Sequence, residues 1–178
     1  MAAKKSDSFF IRASATTSGT SFAQAEIDLG SFVNVGVAGG PKSTLLRIHN
    51  IQVDYKSADD PGEYVYYDGG IPGAQVLWQL TTQSQADMVY GDNKSYISGG
   101  ALKQASTTGN LVQNSDEIVN QNVQEWTQGY LVGVDSLFLG CQSSGTWDTG
   151  EIKVSICMEV TTETSSVAAS TALALSQQ

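Results

Sequence analysis

Ile152, Val154, Ile156, Met158 and Val160 alternate without interruption with Lys153, Ser155, Cys157 and Glu159. Period-2 alternation of this length fits an extended strand with one face in a core and the other toward water. A helix would scatter the same apolar residues around its circumference. Upstream, Leu131, Leu137 and Leu139 share a parity, and the intervening Ser143–Gly150 carries two glycines and an Asp. Tyr130–Thr162 therefore reads as a long antiparallel hairpin, with Leu137 and Leu139 facing the same core as Val154, Ile156 and Met158.

The rest of the chain repeats this pattern of short apolar runs between turn residues. Ser8–Ser14, Phe22–Leu29, Ser43–Lys56 and Gln75–Gln83 read as strands, and Met88–Tyr90, Tyr96–Gln104, Leu111–Val112 and Ile118–Val123 as shorter or edge strands. The run Ser31–Pro41 ends in a Gly-Gly-Pro breaker, and Ser57–Gly73 is the longest turn-rich stretch. Within Ser43–Lys56 the inward parity changes, from Leu46 and Ile48 to Ile51, Val53 and Tyr55, which predicts a bulge near His49–Asn50. The predicted fold class is all-β, an antiparallel β-sandwich or barrel, with Ile48, Val53, Val76, Trp78 and Leu80 completing its core.

At 178 residues this is one domain. Charged residues make up 15%, against about 25% in an average soluble domain. The polar surface must be built from Ser, Thr, Asn, Gln and Gly, a coat suited to packing against copies of the same chain or to a secreted setting. The net charge is −9, and the basic residues beyond Arg12 are isolated from one another. A duplex-binding surface needs clustered cations, so direct nucleic-acid binding is not expected.

No run is long enough to cross a bilayer, and Asp7 and Arg12 interrupt the position of a secretory apolar core. Synthesis in the cytoplasm is the resulting expectation. In the hairpin register, Cys141 and Cys157 fall about 17 Å apart, beyond disulfide reach, so both are expected as free thiols.

Only the end of the chain departs from strand patterning. In Thr162–Gln178, Val167, Ala168, Thr171, Ala172 and Leu175 recur at helical spacing, with Thr164 or Ser165 placed to cap. A helix this short is marginal in water and needs a surface to dock on.

Catalytic chemistry finds no constellation. His49 is the single histidine, and two distant cysteines do not complete a metal site with it. No cofactor is expected. The acidic loop Asp59, Asp60, Glu63 and Asp68 offers hard oxygens suited to Ca²⁺ but lacks the register of a known calcium loop. Asn93-Lys94-Ser95 reads as a turn rather than a glycan acceptor, and Tyr64, Tyr66 and Tyr67 suit sugar stacking or a subunit interface.

Leu45–Tyr55, Leu77–Gln85, Trp126–Gly140 (WTxGYLVGVDxLFLG) and the ending Ala172–Gln178 give the chain a layout that resembles the single-jelly-roll major capsid proteins of tailless icosahedral viruses, marine or environmental ones in particular. The resemblance implies an N-terminal arm with first strand (1–14), a sandwich (15–163) and a helical C-terminal arm (164–178). It also implies a structural, non-enzymatic protein that self-assembles in a virion. Copies of itself are the expected partners, with other capsid proteins beside them, and Phe9, Phe10, Ile11, Leu173 and Leu175 are the expected contacts to neighbouring subunits. Only Lys4, Lys5 and Arg12 are basic near the start, which fits a shell above an internal membrane or a genome handled by another protein. A lectin-like or phage fibre or tail binding module is the alternative on the same fold.

Overall fold

The computed structural model describes residues 6–35, 42–67, 73–107, 111–117 and 127–177. Nine strands run in chain order: β1 (Phe9–Thr16), β2 (Ala23–Asp28), β3 (Lys42–Ser57), β4 (Ala74–Thr81), β5 (Tyr96–Thr107), β6 (Leu111–Glu117), β7 (Tyr130–Val132), β8 (Ser136–Ser143) and β9 (Ile152–Ser166). Among the described residues one helix, α1 (Val167–Ser176), follows. The strands form a four-stranded sheet in the order β1-β9-β3-β7 and a five-stranded sheet in the order β2-β8-β4-β5-β6. Every paired neighbour is antiparallel.

Successive strands cross from one sheet to the other, apart from the β4-β5-β6 meander, so each sheet interleaves distant parts of the chain. That is jelly-roll topology. It also overturns the expected hairpin: β8 pairs with β2 and β4, whereas β9 pairs with β1 and β3 in the opposite sheet. Leu131 belongs to β7, not to the strand of Leu137 and Leu139. Alternation specifies which residues face a core but not which strand lies beside them, and two facing sheets present the same apolar parity.

The core lies between the sheets. Ile48, Val76, Trp78, Leu80, Leu137, Leu139, Val154, Ile156 and Met158 are buried as expected, while Val53 is half-buried against them. The bulge falls where the parity change placed it: Ile48 opposes Val160 and Asn50 opposes Glu159, with His49 as the extra residue. Beyond it, Ile51, Val53 and Tyr55 oppose Met158, Ile156 and Val154 on the inward side.

Met88–Tyr90 forms no strand; it belongs to a loop, residues 82–95, laid on the outer face of the five-stranded sheet. The expected strand Ile118–Val123 lies outside the described residues, as do Trp126, Asp68 and the Gly39-Gly40-Pro41 breaker. Among the described residues no helix is long and apolar enough to cross a membrane.

Low charge leaves neutral amides to hold the loops. Gln79, Gln104 and Gln177 are 0%, 3% and 4% exposed. Gln79 donates to the Asp87 carbonyl and accepts from Val89 N–H. Gln104 donates to the Val65 carbonyl and accepts from Tyr67 N–H. Each amide satisfies one main-chain donor and one acceptor at once, so it can be buried without an uncompensated polar group.

Candidate functional site

The expected contact residues lie near the two ends of the chain, on β1 and α1. β1 is an edge strand in full register with β9, Phe9 opposite Val160 and Ile11 opposite Met158. Phe9 and Ile11 turn inward onto the core, and the Phe9 ring meets Phe32 at 5.1 Å between centroids. Phe10, on the other parity, is 56% exposed with the Arg12 guanidinium 5.7 Å over its ring. The segment expected as an arm is thus a strand of its own sandwich from Phe9 onward, with Phe10 facing out.

At the other end β9 continues through Ser166, so Thr164 and Ser165 are strand residues and the cap moves to Ser166. Its hydroxyl accepts from Ala169 N–H at 3.3 Å. The expected apolar stripe is largely the solvent face: Ala168, Thr171, Ala172 and Leu175 are exposed, Leu175 at 66%. Of the expected stripe Val167 is half-buried, and Ser170, Leu173, Ala174 and Gln177 make up the rest of the docked face. Ser170 is fully buried and donates to Ser43 Oγ at 2.8 Å. Leu173 lies against Gly133, where a Cβ would stand 3.1 Å from the leucine methyl.

Gln177 closes this end of the sandwich. Its Nε2 donates to the Leu131 carbonyl at 2.7 Å and to the Tyr130 hydroxyl at 3.1 Å, and its Oε1 accepts from Gly133 N–H at 2.9 Å. Its main-chain carbonyl accepts from Thr82 Oγ1 at 2.6 Å. One residue therefore ties β7 in one sheet to the end of β4 in the other. Burial pushes the Tyr130 hydroxyl up, with the Gln177 hydrogen bond opposing. Sequence reading missed Ser170 and Gln177, because Ser and Gln ordinarily mark a solvated face.

The outer face of the four-stranded sheet follows from its register. Across β1, β9 and β3 the rows read Thr16-Lys153-Lys56, Ser14-Ser155-Asp54, Arg12-Cys157-Gln52 and Phe10-Glu159-Asn50. The Ser14-Ser155 row is short between longer neighbours. A trough of about 480 Å³ results, lined by Arg12, Ser14, Gln52, Asp54, Lys153 and Cys157 among others. Nearer α1 this face carries an ion pair, Arg47 Nε to Glu163 Oε1 at 2.6 Å, with Arg47 also donating to the Gln128 carbonyl. The Glu163 hydrogen bond raises the guanidinium above its ordinary value.

The opposite outer face is covered in part by loop 82–95. Gln24 donates to Ser84 and accepts from Gln85 N–H, working beside Gln79. The fit depends on Gly140, where a Cβ would stand 2.6 Å from the Phe22 ring. Asn93 Oδ1 accepts from Ser95 N–H at 2.9 Å, the turn expected there.

The remaining candidates are structural in their contacts. His49 Nε2 lies 2.9 Å from Thr161 Oγ1. Tyr67 packs edge-on against buried Trp147, leaving Tyr64 and Tyr66 exposed. Asp60 accepts from Gly62 N–H in its own turn, and among the described residues no group of three or more His, Cys, Asp or Glu is placed to hold a metal. Cys141 and Cys157 are free thiols. The reason differs from the expected hairpin offset, since the two occupy different sheets. Burial pushes the Cys141 thiol up to about 11.

No protein-family model and no curated protein sequence matches this chain. Solved structures do. VP1 of Trichodysplasia spinulosa-associated polyomavirus, in complex with GM1 oligosaccharide, superposes with a TM-score of 0.54 at 8% identity, covering 88% of this chain and 93% of VP1. The chain shares a jelly-roll fold with this VP1 chain. Apo New Jersey polyomavirus VP1 gives 0.52 at 7% identity over 89% of this chain and 99% of that one. Human polyomavirus 12 VP1, with 3'-sialyllactosamine, gives 0.50 at 8% identity over 90% and 100%. At such identities the likeness is one of fold.

Proposed function

We propose that this protein is a viral capsid subunit that assembles with copies of itself into a shell and resides in the virion. The observation that supports it most is a match in fold, with strand order β1-β9-β3-β7 against β2-β8-β4-β5-β6, to a VP1 capsid protein over 88% of the chain. A low-charge surface adds to it, since copies pack side by side with little repulsion. Phe10 and the exposed α1 stripe ending in Leu175 are the terminal contacts to neighbours, while Phe9, Ile11 and Leu173 hold the ends to their own sandwich. Electron microscopy and light scattering of the purified protein test the reading. Closed particles are expected. A monodisperse monomer across protein concentration, salt and pH overturns it.

A glycan-binding role on the same subunit is the second reading. Two of the structures above hold oligosaccharides, and Tyr64 and Tyr90 expose 64% and 87% of their surface here, which leaves their rings open to stack on a sugar. Saturation-transfer NMR with sialylated oligosaccharides should give contacts that Tyr64→Ala or Tyr90→Ala removes.

A further inference from the structure

We infer that the trough on the outer face of the four-stranded sheet receives the acidic outer face of the five-stranded sheet of a second copy, giving a head-to-tail contact. The inference rests on the capsid reading and names the surfaces that build the shell. The trough face presents Arg12, Lys56 and Lys153 against Asp54 and Glu159. Lys56 and Lys153 stand directly opposite each other across β3 and β9. Like charges paired in this way destabilise a sheet, and Lys56 gains only an exposed contact with Asp54 at 3.9 Å. A carboxylate arriving from outside relieves that repulsion.

The chain holds nine basic and 18 acidic residues, so a face on which cations outnumber carboxylates stands out. The other side of the sandwich has the opposite balance. Glu26 and Asp28 project from β2, and Asp87 and Asp92 from loop 82–95, all four exposed, with Lys94 and Lys103 as the cations on that side. Gly30 N–H and Ser136 Oγ donate to Asp28 and Glu26, which fixes these carboxylates without neutralising them.

The two faces lie on opposite sides of a two-layer sandwich, so one copy cannot satisfy both with a single twofold partner. The contact is heterologous, and repetition closes it into a ring or extends it into a lattice. The short Ser14-Ser155 row supplies the depth: about 480 Å³ admits acidic side chains between Arg12 and Lys153. Interactions between such exposed charges fall away with salt.

Two full-length variants test the contact, Arg12→Glu/Lys153→Glu and Glu26→Lys/Asp28→Lys. Both change exposed side chains, and circular dichroism should show each folded. Each alone is expected to lose the high-mass species seen by light scattering at low salt, and an equimolar mixture to recover association. Cys157 lies in the trough while Cys141 is buried, so alkylation of Cys157 should slow at least tenfold when the wild-type protein associates. Particles that form from either variant alone as readily as from the wild type, or wild-type particles in which Cys157 alkylation is unchanged, overturn the contact and leave the capsid reading standing. Variants that bind each other while the wild type forms no particle support the contact and overturn the capsid reading.

Discussion

The N-terminal strand and the C-terminal helix are both fastened to the same sandwich, by different chemistry. β1 is held as sheets are held, by eight residues in register with β9 and by Phe9 and Ile11 turned onto the core. α1 is held mainly by polar groups, the Ser170–Ser43 hydroxyl pair and the hydrogen bonds of Gln177. Its leucines divide, Leu173 seated at Gly133 and Leu175 left in water. Apolar burial is spread over many atoms and tolerates shifts, whereas a hydrogen-bonded plug is specific and can be released by changing one residue. β1 is part of the fold; α1 is latched to it.

Removing residues 1–16 should break this comparison hardest. It uncovers one edge of β9 and the inward residues Val154, Ile156 and Met158 that β1 flanks, and no cooperative thermal transition should remain. Removing residues 167–178 should leave a cooperative transition at lower temperature. Equal behaviour of the two truncations would erase the distinction between fold and latch.

Next in size is Ile156→Ala, at a core position opposite Ala13 and Val53. Loss of a buried isoleucine costs about 2–5 kcal/mol, read as a shift of the urea midpoint. A change of a few tenths would mean that β9 presents its other face to the core.

Gln177→Ala should cost less, about 1–3 kcal/mol, the penalty for leaving buried donors and acceptors unpaired. Hydrogen exchange gives the sharper readout: amides of α1 should lose protection while those of β9 keep theirs. Uniform loss across both would show that the helix is integral to the sandwich.

How these contacts relate to the sequence is instructive. Strand parity, the His49 bulge and nine of the ten core residues named from the sequence were legible, because alternation is local and follows from the pleat. Sheet membership was not. Leu139 and Ile156 carry the same inward signal although they sit in opposite sheets, and only the long crossovers decide which strands become neighbours. The docked face of α1 was hidden for another reason. Small or polar Ser170, Ala174 and Gln177 allow close approach and hydrogen bonding to Ser43 and Gly133, whereas a search for apolar spacing selects Ala168, Thr171, Ala172 and Leu175, the face toward solvent. The trough was legible only once β1, β9 and β3 were known to lie side by side.

Cys141 gives a smaller, pH-dependent test of whether both ends leave the core closed. Burial holds its thiol up to about 11, above the ordinary 9.0. Between these values the unfolded chain releases the proton and the folded one keeps it, so this thiol's contribution is intact below pH 9 and lost as pH rises toward 11. Wild-type stability should fall more steeply over that window than that of Cys141→Ala. Gln177→Ala should leave the slope unchanged, because its effect stops at the latch. Deep exposure of Cys141 in that variant, seen as rapid alkylation at pH 8, would show that the plug guards the core itself.

The smallest effect on the isolated chain should come from Leu175→Ser. With 66% of the residue exposed, little apolar surface is uncovered by the change, and stability should move by no more than about 0.5 kcal/mol, as for surface substitutions generally. In an assembly the same side chain has a different environment. Burying a leucine against a neighbour contributes about 1.5–3 kcal/mol, and each subunit of a shell would gain that amount. Leu175→Ser should therefore leave the monomer's melting curve in place and raise the protein concentration needed for particles by roughly tenfold or more, since every 1.4 kcal/mol is a factor of ten. An unchanged threshold for particle formation would assign the exposed stripe of α1 to solvent and leave the sheet faces to carry assembly alone.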